Sequence, residues 1–172
     1  DAMSKLQGDL SRRVFWGHCK VYIFGEEMAK KGITELIDYF ARHPEPRNRA
    51  LMFVSKGIGM EVLRLLPPME RYSADVIREL SDLHVGLEIT LVELERMLHN
   101  REKAAALPML SILPPEKGSE PLKTIPYFLG TAVFKQGKMI GQISEQATRA
   151  VMWVRNEISV TTVTVKAKDV KG

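Results

Sequence analysis

The residues best suited to chemistry stand in four places. His18 and Cys19 are adjacent, and Cys19 is the single cysteine of the 172 residues. "KGIGMEV" (56–62) puts a G-x-G at the end of a strand-like run. "RHPEPRNR" (42–49) crowds Arg42, Arg47 and Arg49 around Glu45. Two histidines have an acid four positions away, His84 with Glu88 and His99 with Glu95.

Each pattern asks for a different chemistry. A zinc site draws four ligands, mostly Cys and His at short spacings. One cysteine with histidines at 18, 43, 84 and 99 does not supply them. A catalytic Cys–His pair works through space, so adjacency in sequence carries little. Within a strand, neighbours point to opposite faces. Cys19 therefore reads as a small buried hydrophobe. The lead-in "RVFWGHC" has no apolar run closing on small residues, so Cys19 does not read as a lipidated cysteine either.

A dinucleotide turn needs a third glycine and an acid at a strand end about 20 residues on. Val62 stands at the third position and Asp75 falls at a helix start. A tight strand–helix turn is the simpler reading. The three arginines could hold an anion or a partner's carboxylate, or form a local Arg–Glu network bracing a proline turn. The His–Glu pairs read as i,i+4 pairs on helix surfaces. No Ser/His/Asp set, shared carboxylate pocket or G-x-S-x-G is present. No cofactor, metal or enzymatic activity is expected.

The elements that carry these residues follow from periodicity. Residues 2–13 are expected to be helix behind Asp1, and "CKVYIFG" (19–25) a buried strand. Helices are predicted over 26–32, closed by Gly32, and over 33–43, ended by Pro44 and Pro46. "ALMFVSKG" (50–57) is a second strand. Helices follow over 60–66, over 73–86 with Ser73 as N-cap, and over 90–105. In the last, Thr90 and Glu93 have capping-box spacing. Residues 106–113 read as a strand, 127–144 as a hairpin around Gln136-Gly137, 144–158 as helix and 159–168 as an alternating strand. Met152 and Trp153 are both expected to face the core. The fold class is α/β: a mixed sheet flanked by helices, with early β-α-β units, then a hairpin, a helix and a final strand.

Totals agree with one domain over 1–172, with 159–172 leading into a linker. Hydrophobic residues make up 45% and charged residues 27%. Net charge is +4 and the pI about 9.2, but the basic residues are scattered among acids. A nucleic-acid partner is not expected from that distribution, while a weak pull toward an anionic membrane surface is compatible with it. No run approaches the roughly 20 apolar residues of a membrane span. The opening "DAMSKLQGDLSRR" reads as helix, and the chain is expected to be a piece of a longer protein.

Three stretches together resemble one family. "LSRRVFWGHCKVYIFGEEMAKKGITELIDYFARHPEPRNRALMFVSKG" is similar to the H-x-K…G-E-x-x-A-x-x-G region of the C subunits of spore germinant receptors, the Ger(x)C lipoproteins. "ALPML" resembles their short L-P segment, and "GTAVFKQGKMIGQISEQATRAVMWVRNEI" their G-T-A-[VL]-F-K block. The resemblance implies a lipoprotein on the outer face of the spore inner membrane, acting with a polytopic A subunit and a transporter-like B subunit. The family's lipid anchor and first strands would precede Asp1, and further domains would follow Gly172. The function it implies is a non-catalytic part in receptor assembly and signalling, with a germinant-binding module as the alternative. Candidate partner contacts are His18, Lys20, Glu26, Arg42 and Arg47, whose types match the family pattern and are too polar for core.

Overall fold

A computed structural model of the chain describes residues 19–42, 48–118 and 120–158. The expected helix over 2–13 and strand over 159–168 lie outside the described residues. One five-stranded sheet forms in the order β1 (Val21–Gly25), β2 (Leu51–Ser55), β3 (Ala104–Ile112), β4 (Pro126–Lys135) and β5 (Lys138–Ser144). β1, β2 and β3 run parallel, and β3–β4 and β4–β5 pair antiparallel. Among the described residues there are six helices: α1 (Glu26–Lys31), α2 (Thr34–Arg42), α3 (Gly59–Leu63), α4 (Ser73–Asp82), α5 (Leu91–His99) and α6 (Glu145–Val154). This is the mixed α/β sheet expected from the sequence.

β2 explains the layering. All five residues of "LMFVS" are buried, as befits a parallel strand covered on both faces. Met52 and Val54 point into one cluster, with Phe24, Ile33, Ile37, Phe40, Leu94 and Leu98 from β1, α2 and its approach, and α5. Leu51 and Phe53 point into the other, with Val62 of α3, Ile77 of α4, Leu110 and Phe128. Ile33, Ile37 and Phe40 recur at helical spacing, so one stripe faces the sheet. Each such side chain, fully buried, contributes about 1.5–3 kcal/mol.

The hairpin forms as expected. Gln136 and Gly137 both adopt left-handed backbone, with φ of 50° and 74°, as a two-residue type I′ turn requires. Its tip is clamped to the start of α2: Ile33 N–H donates to Gly137 O at 2.9 Å.

Several boundaries differ from expectation. α3 stops at Leu63 rather than 66, since Leu66 N–H donates to Leu122 O at 2.8 Å and Pro67 disfavours helical backbone before it. α4 stops at Asp82; Tyr72, not Ser73, is its N-cap, and Ser73 is buried. The left-handed residue after it is His84 at φ 52°, two positions before the expected helix end at Gly86. Gly86 instead lies against Phe128, where a Cβ would sit 3.2 Å from the ring. α5 starts with the expected capping box, Glu93 N–H donating to Thr90 Oγ1 and Thr90 N–H to Glu93 Oε2. It ends at His99, because Lys103 turns left-handed at φ 46° and Ala104 joins β3. On α6, Met152 is buried but Trp153 is 57% exposed, since consecutive helical residues point about 100° apart.

Candidate partner-contact surface

The end of β1 and the end of β2 are tied by glycine-rich turns. Glu26 N–H donates to Gly57 O at 3.0 Å, and Gly57 N–H donates to Glu26 Oε2 at 3.3 Å. Lys30 Nζ lies 2.8 Å from Glu26 Oε1. The Lys30 hydrogen bond, the Gly57 N–H and the charge of Lys56 hold the Glu26 carboxyl below the ordinary carboxylate range, against partial burial. The G-x-G therefore has a local explanation. Gly57 takes φ +80°, and a Cβ on Gly59 would come within 3.2 Å of Ile23 O. The close backbone approach that a nucleotide phosphate would need is made to β1 instead.

The expected contact residues do not converge. Lys20 is exposed just before β1, and its carbonyl accepts from Leu51 N–H at 2.9 Å. Arg42 is exposed at the end of α2. Two residues before it, Phe40 packs on Tyr22 with ring centroids 4.7 Å apart. Glu26 stands at the other end of β1, about 17 Å along five residues of strand. His18 and Arg47 lie outside the described residues.

The other chemical candidates separate as well. Cys19 is half-buried and its thiol donates to Val21 O at 3.3 Å. His99 is not paired to the Glu95 carboxylate; Nδ1 meets Glu95 O at 2.9 Å and Nε2 lies 3.5 Å from Asp38 Oδ1 of α2. His84 and Glu88 sit 4.0 Å apart on an irregular segment rather than a helix. That segment borders an open groove of about 700 Å³, lined by Arg49, Arg96, His84, Asp82 and Glu88 among others. Among the described residues, no group of three His, Cys, Asp or Glu could hold a metal ion, and no helix is long and apolar enough to cross a membrane.

Sequence reasoning missed a surface beside the Gly57 turn. Val62 and Leu65 enter the core, yet Ile58, Met60, Leu63, Leu66 and Met69 are exposed. Met69 is 92% exposed. The signal was available: "IGMEVLRLLPPM" (58–69) is apolar at more positions than one helix face can hold, and a helix that is apolar all round calls for cover on more than one side.

Comparison with known proteins decides the family. Residues 1–112 match the model for the spore germination protein N-terminal domain. This chain belongs to that family. Residues 129–172 match a second model, spore germination B3/GerAC like, C-terminal. A putative spore germination protein YfkR of Bacillus subtilis (strain 168) is 28% identical over 160 residues, covering 91% of this chain and 41% of the relative. The crystal structure of the GerBC protein superposes with a TM-score of 0.57 at 17% identity, over 87% of this chain and 41% of that one. The chain thus spans about two fifths of the relatives it matches, and the likeness to GerBC supports the fold. The second family model begins at 129, inside β4, so most of β4 and all of β5, which extend the sheet from β3, come from the stretch matched by that C-terminal model.

Proposed function

We propose that the chain is the assembly domain of a germinant receptor C subunit, without catalytic activity of its own. In the intact protein a lipid anchor would hold it at the outer face of the spore inner membrane, against the A and B subunits, where it would help couple germinant binding to germination. Residues 1–172 would form one α/β domain of that longer protein. The single observation that supports this is the family match along residues 1–112 and 129–172. The chemistry agrees with it, because the one nucleotide-like turn is occupied by its own backbone.

Contact with partners is assigned to Lys20 and Arg42, together with His18 and Arg47. Glu26 would act through the turn it holds. Photocrosslinking residues placed at 20 and 42 of the full-length protein in spores test the reading. Crosslinks to polytopic membrane proteins are expected. Crosslinks only to unrelated soluble proteins, or none from either position, would overturn it.

A second reading rests on the groove beside His84. Arg49 and Arg96 line it together with Asp82 and Glu88, a mixture of signs suited to a zwitterion such as an amino acid. Calorimetry with amino acids and sugars separates the two readings: heat of binding that Arg96→Ala abolishes would favour the groove.

A further inference from the structure

We infer that the segment Ile58–Tyr72 is a lipid-docking tip that seats this domain on an anionic membrane surface. The surface is built locally. Ile58, Met60 and Leu63 leave the core on the outer side of α3, and Leu66 and Met69 continue beyond it, all half or more exposed apart from Leu63 at 49%. The tip "RLLPPMERY" is bounded by Arg64 on one side and by Arg71 and Tyr72 on the other. Arg71 lies over the Tyr72 ring at 5.3 Å from its centroid. Aliphatic side chains between arginines, with a tyrosine at the margin, match the depth profile of a bilayer interface: apolar side chains below, ring and cations at the headgroups.

Backbone chemistry at the proline turn of the tip suits a lipid occupant. A protein interface carries roughly one hydrogen bond per 100–200 Å², whereas a lipid tail offers none and penalises any free donor. At the turn of the tip, Leu66 N–H is taken by Leu122 O and Pro67 and Pro68 have no N–H, so these three positions bring no free donor to a lipid. Charge points the same way. Arg64 and Arg71 border the tip in sequence, against Glu61 and Glu70, Lys123 is paired with Glu120, and the chain as a whole carries +4. Methionine at 60 and 69 suits an irregular, yielding environment.

The test is co-sedimentation of this chain with vesicles of phosphatidylcholine carrying about one third phosphatidylglycerol. Binding is expected, and Leu66→Asp with Met69→Asp should weaken it by about tenfold or more while leaving the circular dichroism spectrum unchanged. Arg64→Gln with Arg71→Gln should weaken binding to these vesicles and not to vesicles of phosphatidylcholine alone. No sedimentation of the folded chain, or equal sedimentation of the Asp variant, would overturn the inference. So would a concentration-dependent dimer that the Asp variant abolishes in the absence of vesicle binding, which would make the tip a protein interface. If the Asp variant misfolds, Met69→Asp alone, at the most exposed position, gives the same comparison.

Discussion

Glu26 and Gly57 hold each other in both directions: the Glu26 N–H bonds the Gly57 carbonyl at 3.0 Å, and the Gly57 N–H bonds the Glu26 carboxylate at 3.3 Å. The reciprocal pair joins two turns that are 31 residues apart in sequence. It also explains why an acid follows Gly25 at a helix start, where the first-turn dipole favours negative charge.

Glu26→Gln keeps the shape but removes the charge that Lys30 and Gly57 meet. The expected loss is about 0.5–1.5 kcal/mol, or roughly 1–6 °C in Tm by calorimetry. The carboxyl is held below its ordinary 4.5. Its contribution is therefore present above that value and disappears as pH falls through the lower folded-state value. Wild type and variant should converge in Tm in acid and separate near neutrality.

Gly130 and Gly57 both adopt positive φ but differ in space. A Cβ on Gly130 would lie 2.2 Å from Ile143 O across the β4–β5 pair, while one on Gly57 meets nothing within 4 Å. Gly130→Ala should cost more than about 3 kcal/mol and Gly57→Ala about 1 kcal/mol. Urea unfolding of the two variants measures the difference, and equal losses would contradict it.

Thr90→Ala removes the hydroxyl that accepts from Glu93 N–H at the start of α5. A loss of about 1 kcal/mol is expected, and hydrogen exchange should quicken first at the amides of residues 91–94.

Thr131 and Thr148 share a buried hydrogen bond of 2.9 Å between β4 and α6. Thr131→Val leaves the Thr148 hydroxyl its bond to Ser144 O, so the loss should stay near 1 kcal/mol. Thr148→Val leaves the Thr131 hydroxyl without this partner, and about 1–3 kcal/mol is expected. Chemical denaturation ranks the two.

Lys20→Glu and Arg42→Glu reverse exposed charges, so melting temperatures should move by less than about 0.5 kcal/mol equivalent. In the full-length protein each should slow spore germination. Normal germination by both variants would remove these residues from the contact surface.

Much of the framework was legible. The capping box at Thr90, the glycine closing α1, the Gln136-Gly137 turn and the apolar run of β2 are local signals, and each formed. Helix ends were less legible where a distant partner intervened. α3 ends early because Leu122 supplies an acceptor from 56 residues away, and α5 gives way to β3 because residues 104–112 find β4 as a partner. Of the candidate contacts, the residue types were readable, but Glu26 turned out to be engaged within the domain.

Taken alone, the sequence determined which stretches alternate and which repeat at helical spacing. Those are properties of neighbours along the chain. Tertiary structure decided which of two apolar faces meets the sheet. It buried Val62 and Leu65 while leaving Met60, Leu63 and Leu66 outside, and buried Met152 while exposing Trp153. The reason is geometric: periodicity marks the apolar positions of an element, but burial requires a second surface, and only the packed sheet supplies it.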